Sequence, residues 1–305
     1  MNSSRDGADP GRITRVGVVG AGQMGAGIAE VCARAHLDVL VWESTRELTS
    51  SGRARILDSL DRGLSSGKIT AREREQAALR LRFTTDLGDF VDRQLVIEAI
   101  VEDTDAKTAV FRELDAVVTD PDAVLASTTS SIPIMKLGTC TARPARVIGM
   151  HFFHPVPVLP LVELVSTLET GAAARDRAQA FAEQVLGKQV VHSADRAGAV
   201  VNALLVPYLL SAIRMAESGF ATPEDIDKAM VLGCAHPMGP LTLADLVGLD
   251  TIKSIADSMY TEFAEPLYSP PPLLLRMVEA GRLGKKSGHG FYRYDAPRAM
   301  ARAAR

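Results

Sequence analysis

Residues 14–35, TRVGVVGAGQMGAGIAEVCARA, read as a short apolar strand, a glycine turn and a helix. Gly20, Gly22 and Gly25 occupy the glycine positions of a G-x-G-x-x-G pattern, with Gln23 and Met24 between the last two. The pattern alone is weak, and its place between strand and helix is what constrains the fold. Gly20 permits a tight turn, Gly22 lets the backbone approach a pyrophosphate, and Gly25 lets the helix pack on the strand. The helix N-terminus then faces the phosphates. Glu43 closes the second apolar run, DVLVWE, eighteen residues past Gly25. A carboxylate there accepts ribose hydroxyls and repels a 2′-phosphate. The expected cofactor is NAD rather than NADP.

Strand and helix signals go on alternating to about Ser193. Helical spacing from Arg46 to Leu81 breaks near SSGKIT, and QLVIEAIVE reads as a third strand. DAKTAVFRELDAVV reads as a helix, AVLAST, RVIGMHFF, LVELVS and KQVVHS as strands, and GAAARDRAQAFAEQVLG as a helix. This alternation predicts a parallel, doubly wound sheet of Rossmann type over residues 13–195. The pattern then changes. AVVNALLVPYLLSAIRMAESG predicts a buried helix kinked at Pro207, and TPEDIDKAMVLG opens with Thr222 as N-cap and Pro223 at the first helical position. An all-helical domain is expected over 196–297, with GFYRY a final strand. Residues 1–12 and 298–305 read as tails, the first disordered. So apolar a helical domain predicts a homodimer. Three widely separated cysteines, Cys32, Cys140 and Cys234, form neither a disulfide framework nor a metal spacing and fit a reducing cytoplasm. The net charge of −3 argues against a nucleic-acid or anionic-membrane partner. No apolar run has transmembrane length.

The most unusual stretch is MHFFHPVPVLPLVELV, residues 150–165. Glu163 stands alone in an apolar run, and a lone buried charge is costly without a partner. It either faces solvent from a half-exposed strand or serves His151 or His154. A nicotinamide dehydrogenase needs a general base for the hydroxyl proton. Of the six histidines, His36, His192, His236 and His289 lie elsewhere in the chain. His151 and His154 follow a strand expected to end at the ligand edge of the sheet.

The chain from about Thr14 to Tyr294 resembles the L-3-hydroxyacyl-CoA dehydrogenase family, and most of all its bacterial 3-hydroxybutyryl-CoA dehydrogenase branch. The resemblance rests on GAGQMGAGIA, VIEAIVED, STTSSIPI, GMHFFHPVPVLPLVELV, VVNALLVPYLLSAIRM, DIDKAMVLGCAHPMGPLTLADLVGLD and GKKSGHGFYRY, in that order. It implies that His151 is the base and that Glu163 orients it. It implies that Ser130, twenty-one residues before His151, holds the substrate oxygen near the nicotinamide. Asn202 matches the asparagine that binds the reacting part of the substrate. Glu102 and Lys107 would contact the ribose and nicotinamide region, and Lys286 would reach over the cofactor. Ser59 and Lys68 fall where the family contacts coenzyme A. No metal is implied.

The match departs from the family near these positions. Thr128 replaces an amide, His154 an asparagine near the nicotinamide, Ala199 an aromatic residue, and Ala197 a proline often found there. The implied reaction is NAD-dependent, reversible oxidation of a short 3-hydroxyacyl-CoA. Alternatives are a hydroxyacyl group on a carrier protein, a free hydroxy acid, and a non-catalytic dinucleotide-binding protein. Retention of Ser130, His151, Glu163 and Asn202 counts against the last.

Overall fold

The computed structural model describes residues 12–294. The tails expected at 1–12, Arg12 apart, and at 298–305 lie outside the described residues. The chain divides into two compact units between Arg196 and Ala197.

The first unit holds eight strands: β1 Arg15–Val19, β2 Asp38–Trp42, β3 Leu81–Thr84, β4 Leu95–Glu98, β5 Val124–Ser127, β6 Val147–Phe152, β7 Leu161–Ser166 and β8 Gln189–Ala194. They form one sheet in the order β3-β2-β1-β4-β5-β6-β7-β8. Every pair is parallel except β6 and β7. The expected all-parallel sheet is therefore mixed. An eight-residue, proline-rich connection after Phe152 is too short to cross over, so β7 returns antiparallel beside β6. The helices of this unit are α1 Gln23–Arg34, α2 Arg46–Ser65, α3 Ala71–Leu79, α4 Thr104–Val117, α5 Ile134–Thr139 and α6 Ala172–Ala180. Val16, Val18, Val39, Val41, Leu95, Ile97, Val124 and Ala126 are buried in the sheet beneath them, the near-continuous apolar strands of a doubly covered parallel sheet.

β3 was not expected, because the helical spacing was read on through Leu81. It is a four-residue edge strand paired with β2. Neighbouring β1 and β4 run to opposite halves of the sheet, and the crevice over their carboxyl ends is where ligands of such sheets bind.

The second unit is helical: α7 Val201–Glu217, α8 Pro223–Cys234, α9 Pro240–Val247, α10 Leu249–Phe263 and α11 Pro272–Glu279. Thr222 caps α8 through its hydroxyl, as expected. Pro207 lies inside α7, whose Val206, Leu209, Leu210 and Ile213 are buried while Leu204 is 74% exposed. GFYRY is not a strand but is held by side chains and isolated bridges. Buried Asp245 accepts hydrogen bonds from the Phe291 and Tyr292 N–H groups, both at 2.9 Å, and from the Tyr294 hydroxyl at 3.0 Å.

Candidate active site

The glycine turn follows β1, and the Gly20 N–H donates to the Trp42 carbonyl of β2 at 2.9 Å. Gly20 has φ +95°, and a Cβ there would lie 2.7 Å from the Ala99 carbonyl oxygen. A Cβ at Gly25 would lie 1.8 Å from the Gly20 oxygen, so α1 can pack this close only with glycine. Above Gly22 nothing lies within 4 Å of that position. Gly22 caps α1 without a side-chain hydrogen bond, and the first turn carries no acid. The opening N–H groups of a twelve-residue helix are thus left for a ligand, and an anion fits there electrostatically. The Glu43 carboxylate, at the end of β2, accepts the Ala21 N–H through Oε1. It stands beside the turn as the ribose position requires. These features fit a dinucleotide.

Two further residues support the turn, and neither was read from the sequence. The Arg55 guanidinium of α2 donates to the Ala21 carbonyl. Gly52, also of α2, is buried against Ala21, where a Cβ would lie 2.4 Å from the Ala21 methyl. Nothing in an amphipathic helix marks which of its small residues will meet a loop 31 residues away.

The His151–Glu163 pair is built by strand register. His151 lies within β6, one residue before its end, rather than after it. In the antiparallel ladder His151 is directly opposite Glu163. Paired residues project to the same face, so their side chains meet. His151 Nδ1 lies 2.8 Å from Glu163 Oε2, and Glu163 is fully buried. A carboxylate accepts only, so Nδ1 carries a proton, and in the neutral ring Nε2 then keeps its lone pair. The imidazole packs tilted on Phe153, ring centres 4.6 Å apart. Thr128, just past β5, accepts the Phe152 N–H at 3.2 Å and ties the tip of β6 to its neighbour.

His154 does not join this pair. Its Nε2 lies 3.0 Å from Gln23 Nε2 at the start of α1. Burial lowers its pKa below the ordinary histidine value, which favours the neutral ring. An amide nitrogen donates, so His154 Nε2 accepts here and Nδ1 bears the proton. The imidazole thus meets the glycine-turn helix as a neutral acceptor.

Ser130 follows β5, and its N–H donates to Glu102 Oε1 at 3.2 Å. Lys107 is buried, with Nζ 2.6 Å from Glu98 Oε1 and 3.3 Å from Glu102 Oε2. Burial pushes the Glu102 pKa up, but the Lys107 charge and hydrogen bonds from Thr129, Ser131 and Lys107 outweigh it. The result lies below the ordinary carboxylate value, and Glu102 is ionised at neutral pH. Glu98 ends β4, is fully buried and was missed in the sequence. Ser59 is half-buried on α2, and Lys68 is exposed between α2 and α3. Neither is brought beside His151 by a hydrogen bond. Asn202 and Lys286 belong to the second unit. Asn202 is buried in the first turn of α7, and the Lys286 ammonium lies 2.7 Å from Asp250 Oδ2. Ala199 takes φ 45°, a left-handed conformation unusual for a residue with a Cβ. No cluster of three or more potential metal ligands exists among the described residues.

At the carboxyl edge of one sheet, then, stand a dinucleotide turn with its acid and a carboxylate-backed imidazole. This is the equipment of a nicotinamide-linked oxidoreductase. Comparison with known proteins agrees. A sequence model of the 3-hydroxyacyl-CoA dehydrogenase NAD binding domain matches residues 15–196, and one of the 3-hydroxyacyl-CoA dehydrogenase C-terminal domain matches residues 198–294. The chain is 68% identical over 282 residues to a 3-hydroxybutyryl-CoA dehydrogenase of Mycobacterium tuberculosis, covering 92% of this chain and 99% of the relative. It is 40% identical over 290 residues to the human mitochondrial hydroxyacyl-coenzyme A dehydrogenase, covering 92% and 91%. The crystal structure of an (S)-3-hydroxybutyryl-CoA dehydrogenase from Ralstonia eutropha superposes with a TM-score of 0.88 at 42% identity, covering 93% of this chain and all of the other. Sheet, glycine turn and imidazole thus agree with matches that run through both units, and the chain belongs to the 3-hydroxyacyl-CoA dehydrogenase family, NAD-dependent oxidoreductases acting on a CH–OH group.

Proposed function

We propose that this enzyme interconverts a short-chain 3-hydroxyacyl-CoA, 3-hydroxybutyryl-CoA foremost, and the corresponding 3-oxoacyl-CoA. The observation that carries the reading is the His151 Nδ1 to Glu163 Oε2 hydrogen bond of 2.8 Å, which leaves Nε2 as a proton acceptor. Bound NAD supplies the hydride acceptor for the C3 hydrogen. His151 Nε2 takes the 3-hydroxyl proton as the C3–H bond breaks and the C=O bond forms. The buried Glu163 carboxylate holds the ring and stabilises the imidazolium. In reduction the same imidazolium returns the proton, so one pair serves both directions. Ser130 is assigned to hold the substrate oxygen, and Asn202 to bind the acyl group. Ser59 and Lys68 are assigned to coenzyme A, and Lys286 to the cofactor. Relatives named for 3-hydroxybutyryl-CoA, at 68% and 46% identity, support the four-carbon substrate.

Two further assignments go with this one. The second unit exposes Leu204, Phe220 and Leu232 by 74–79%, which supports a homodimer through the helical domain. A cytoplasmic location is consistent with three free cysteines.

The test is efficiency on four-, six- and eight-carbon 3-oxoacyl-CoA esters with NADH, beside one carrier-linked substrate. A chain growing into an apolar pocket gains about 0.8 kcal/mol per methylene, or about fourfold per carbon. The polar neighbourhood of Thr128 and His154 offers no such gain, so kcat/KM peaks at four carbons and falls by eight. Efficiency that rises with length would contradict the short-chain assignment. Turnover confined to the carrier-linked ester would move the assignment to a carrier protein.

A further inference from the structure

A second buried carboxylate lies in the same sheet, outside the catalytic pair. Glu98 ends β4 and is fully buried, as is Lys107 on the inner face of α4. Glu98 Oε1 accepts from Lys107 Nζ at 2.6 Å and from the Ile100 N–H at 2.7 Å, while Oε2 accepts the Ser127 hydroxyl at 2.6 Å. Both oxygens are thus used. Lys107 is shared with Glu102, at 3.3 Å. Glu102 Oε1 in turn collects the Thr129 hydroxyl, the Ser130 and Ser131 N–H groups at 3.2 and 3.1 Å, and the Ser131 hydroxyl at 2.7 Å. Thr129 Oγ1 also accepts the Ser131 and Ile132 N–H groups at 3.3 and 3.0 Å. A continuous set of charged hydrogen bonds therefore runs from the end of β4 to the backbone of residues 129–132. The bonds that reach Ser130 are made to its N–H.

A buried ion pair is a poor way to gain stability, since apolar residues of similar volume often do as well or better. Its consequence here is geometric. Four donors converging on one carboxylate oxygen fix the backbone that carries Ser130, and the carboxylate is itself fixed by an ammonium with no room to move.

We propose that Glu98 and Thr129 are positioning residues for hydride transfer. Glu98 holds Lys107, Lys107 holds Glu102, and Glu102 with Thr129 sets the loop that presents Ser130. This rests on the proposed role of Ser130 in the acyl-CoA reaction. Misplacing a reacting group by about 1 Å costs on the order of 100-fold in rate, so loosening the loop lowers kcat more than it weakens cofactor binding.

The experiment compares Glu98→Gln, Thr129→Val and Thr129→Ser with the wild type. It measures kcat with acetoacetyl-CoA, Kd for NADH, and amide hydrogen exchange across residues 128–132. Glu98→Gln and Thr129→Val are expected to lower kcat by about 10- to 100-fold, with Kd for NADH weakened by a smaller factor and loop exchange faster by about tenfold or more. Thr129→Ser keeps the hydroxyl, and its kcat returns to within about threefold of wild type. Should Glu98→Gln fail to fold, the valine and serine pair decides. Wild-type kcat for Thr129→Val, unchanged exchange, or a serine variant no better than valine overturns the proposal. Absence of wild-type turnover on acetoacetyl-CoA would defeat the proposed function instead, and unchanged exchange in Thr129→Val would then still overturn the positioning role of the network.

Discussion

A carboxylate inside an apolar strand must find its partner where it sits, because moving it to water would turn the strand over. Glu163 finds an imidazole, and Glu98 finds an ammonium and a hydroxyl. The difference sets what each can do. A carboxylate paired with lysine is an electrostatic fixture, whereas one paired with neutral histidine raises the basicity of the free ring nitrogen. Glu43 is a third case, half-buried at the edge with one oxygen given to the Ala21 N–H. A carboxylate placed there to accept ribose hydroxyls would repel a 2′-phosphate. With NADPH in place of NADH, kcat/KM is expected to fall by about 100-fold, the loss of roughly 2.7 kcal/mol. Steady-state constants for both cofactors check this. Equal efficiency would mean that Arg46, or the Arg55 guanidinium at the glycine turn, reaches the phosphate and that Glu43 turns away.

At the scale of elements, the last described segment leans on one side chain above others. Residues 290–294 form no strand, and Asp245 on α9 accepts two of their N–H groups and one hydroxyl. Gly290 packs on that carboxylate so closely that a Cβ would lie 1.9 Å from Oδ1. Asp245→Asn keeps one acceptor oxygen and loses the charge. Hydrogen bonds to charged groups contribute about 1.5–3 kcal/mol each, so a loss of about 2–4 kcal/mol in urea denaturation is expected. A change below about 0.5 kcal/mol would show that the segment is held by packing alone. The aromatic spacing of GFYRY suggests a strand, and nothing local betrays that its partner is an aspartate 46 residues earlier. β3 was hidden for a related reason. Its first residue, Leu81, continues the helical apolar spacing, and its identity comes from pairing with β2. Glu98 could have been found, because LVIEAI breaks its apolar run with a single acid as LVELV does at Glu163. The inward turn of Lys107 was legible only through α4, whose buried positions Lys107, Val110, Phe111 and Leu114 share one helical face. The resemblance to a family supplied Ser130, Asn202 and Lys286, which spacing alone does not single out.

For the whole molecule, strand and helix alternation was enough to imply a doubly wound sheet. The one reversal, at β6 and β7, is also what brings His151 and Glu163 together, because only antiparallel neighbours place them opposite each other with so short a connection. No helix among the described residues is long and apolar enough to cross a membrane. The fold brings three things to one sheet edge: a glycine turn, an imidazole bonded to a buried carboxylate, and the serine-bearing loop hydrogen-bonded to Glu102. Their joint purpose is tested most directly by NADH-dependent reduction of acetoacetyl-CoA in the wild type and in His151→Ala, with NADH affinity measured on both. Wild-type turnover is expected, with kcat lower by about 10²–10⁴-fold in the variant, the range for loss of a general acid or base, and unchanged NADH affinity. A variant that keeps near-normal turnover would contradict the account.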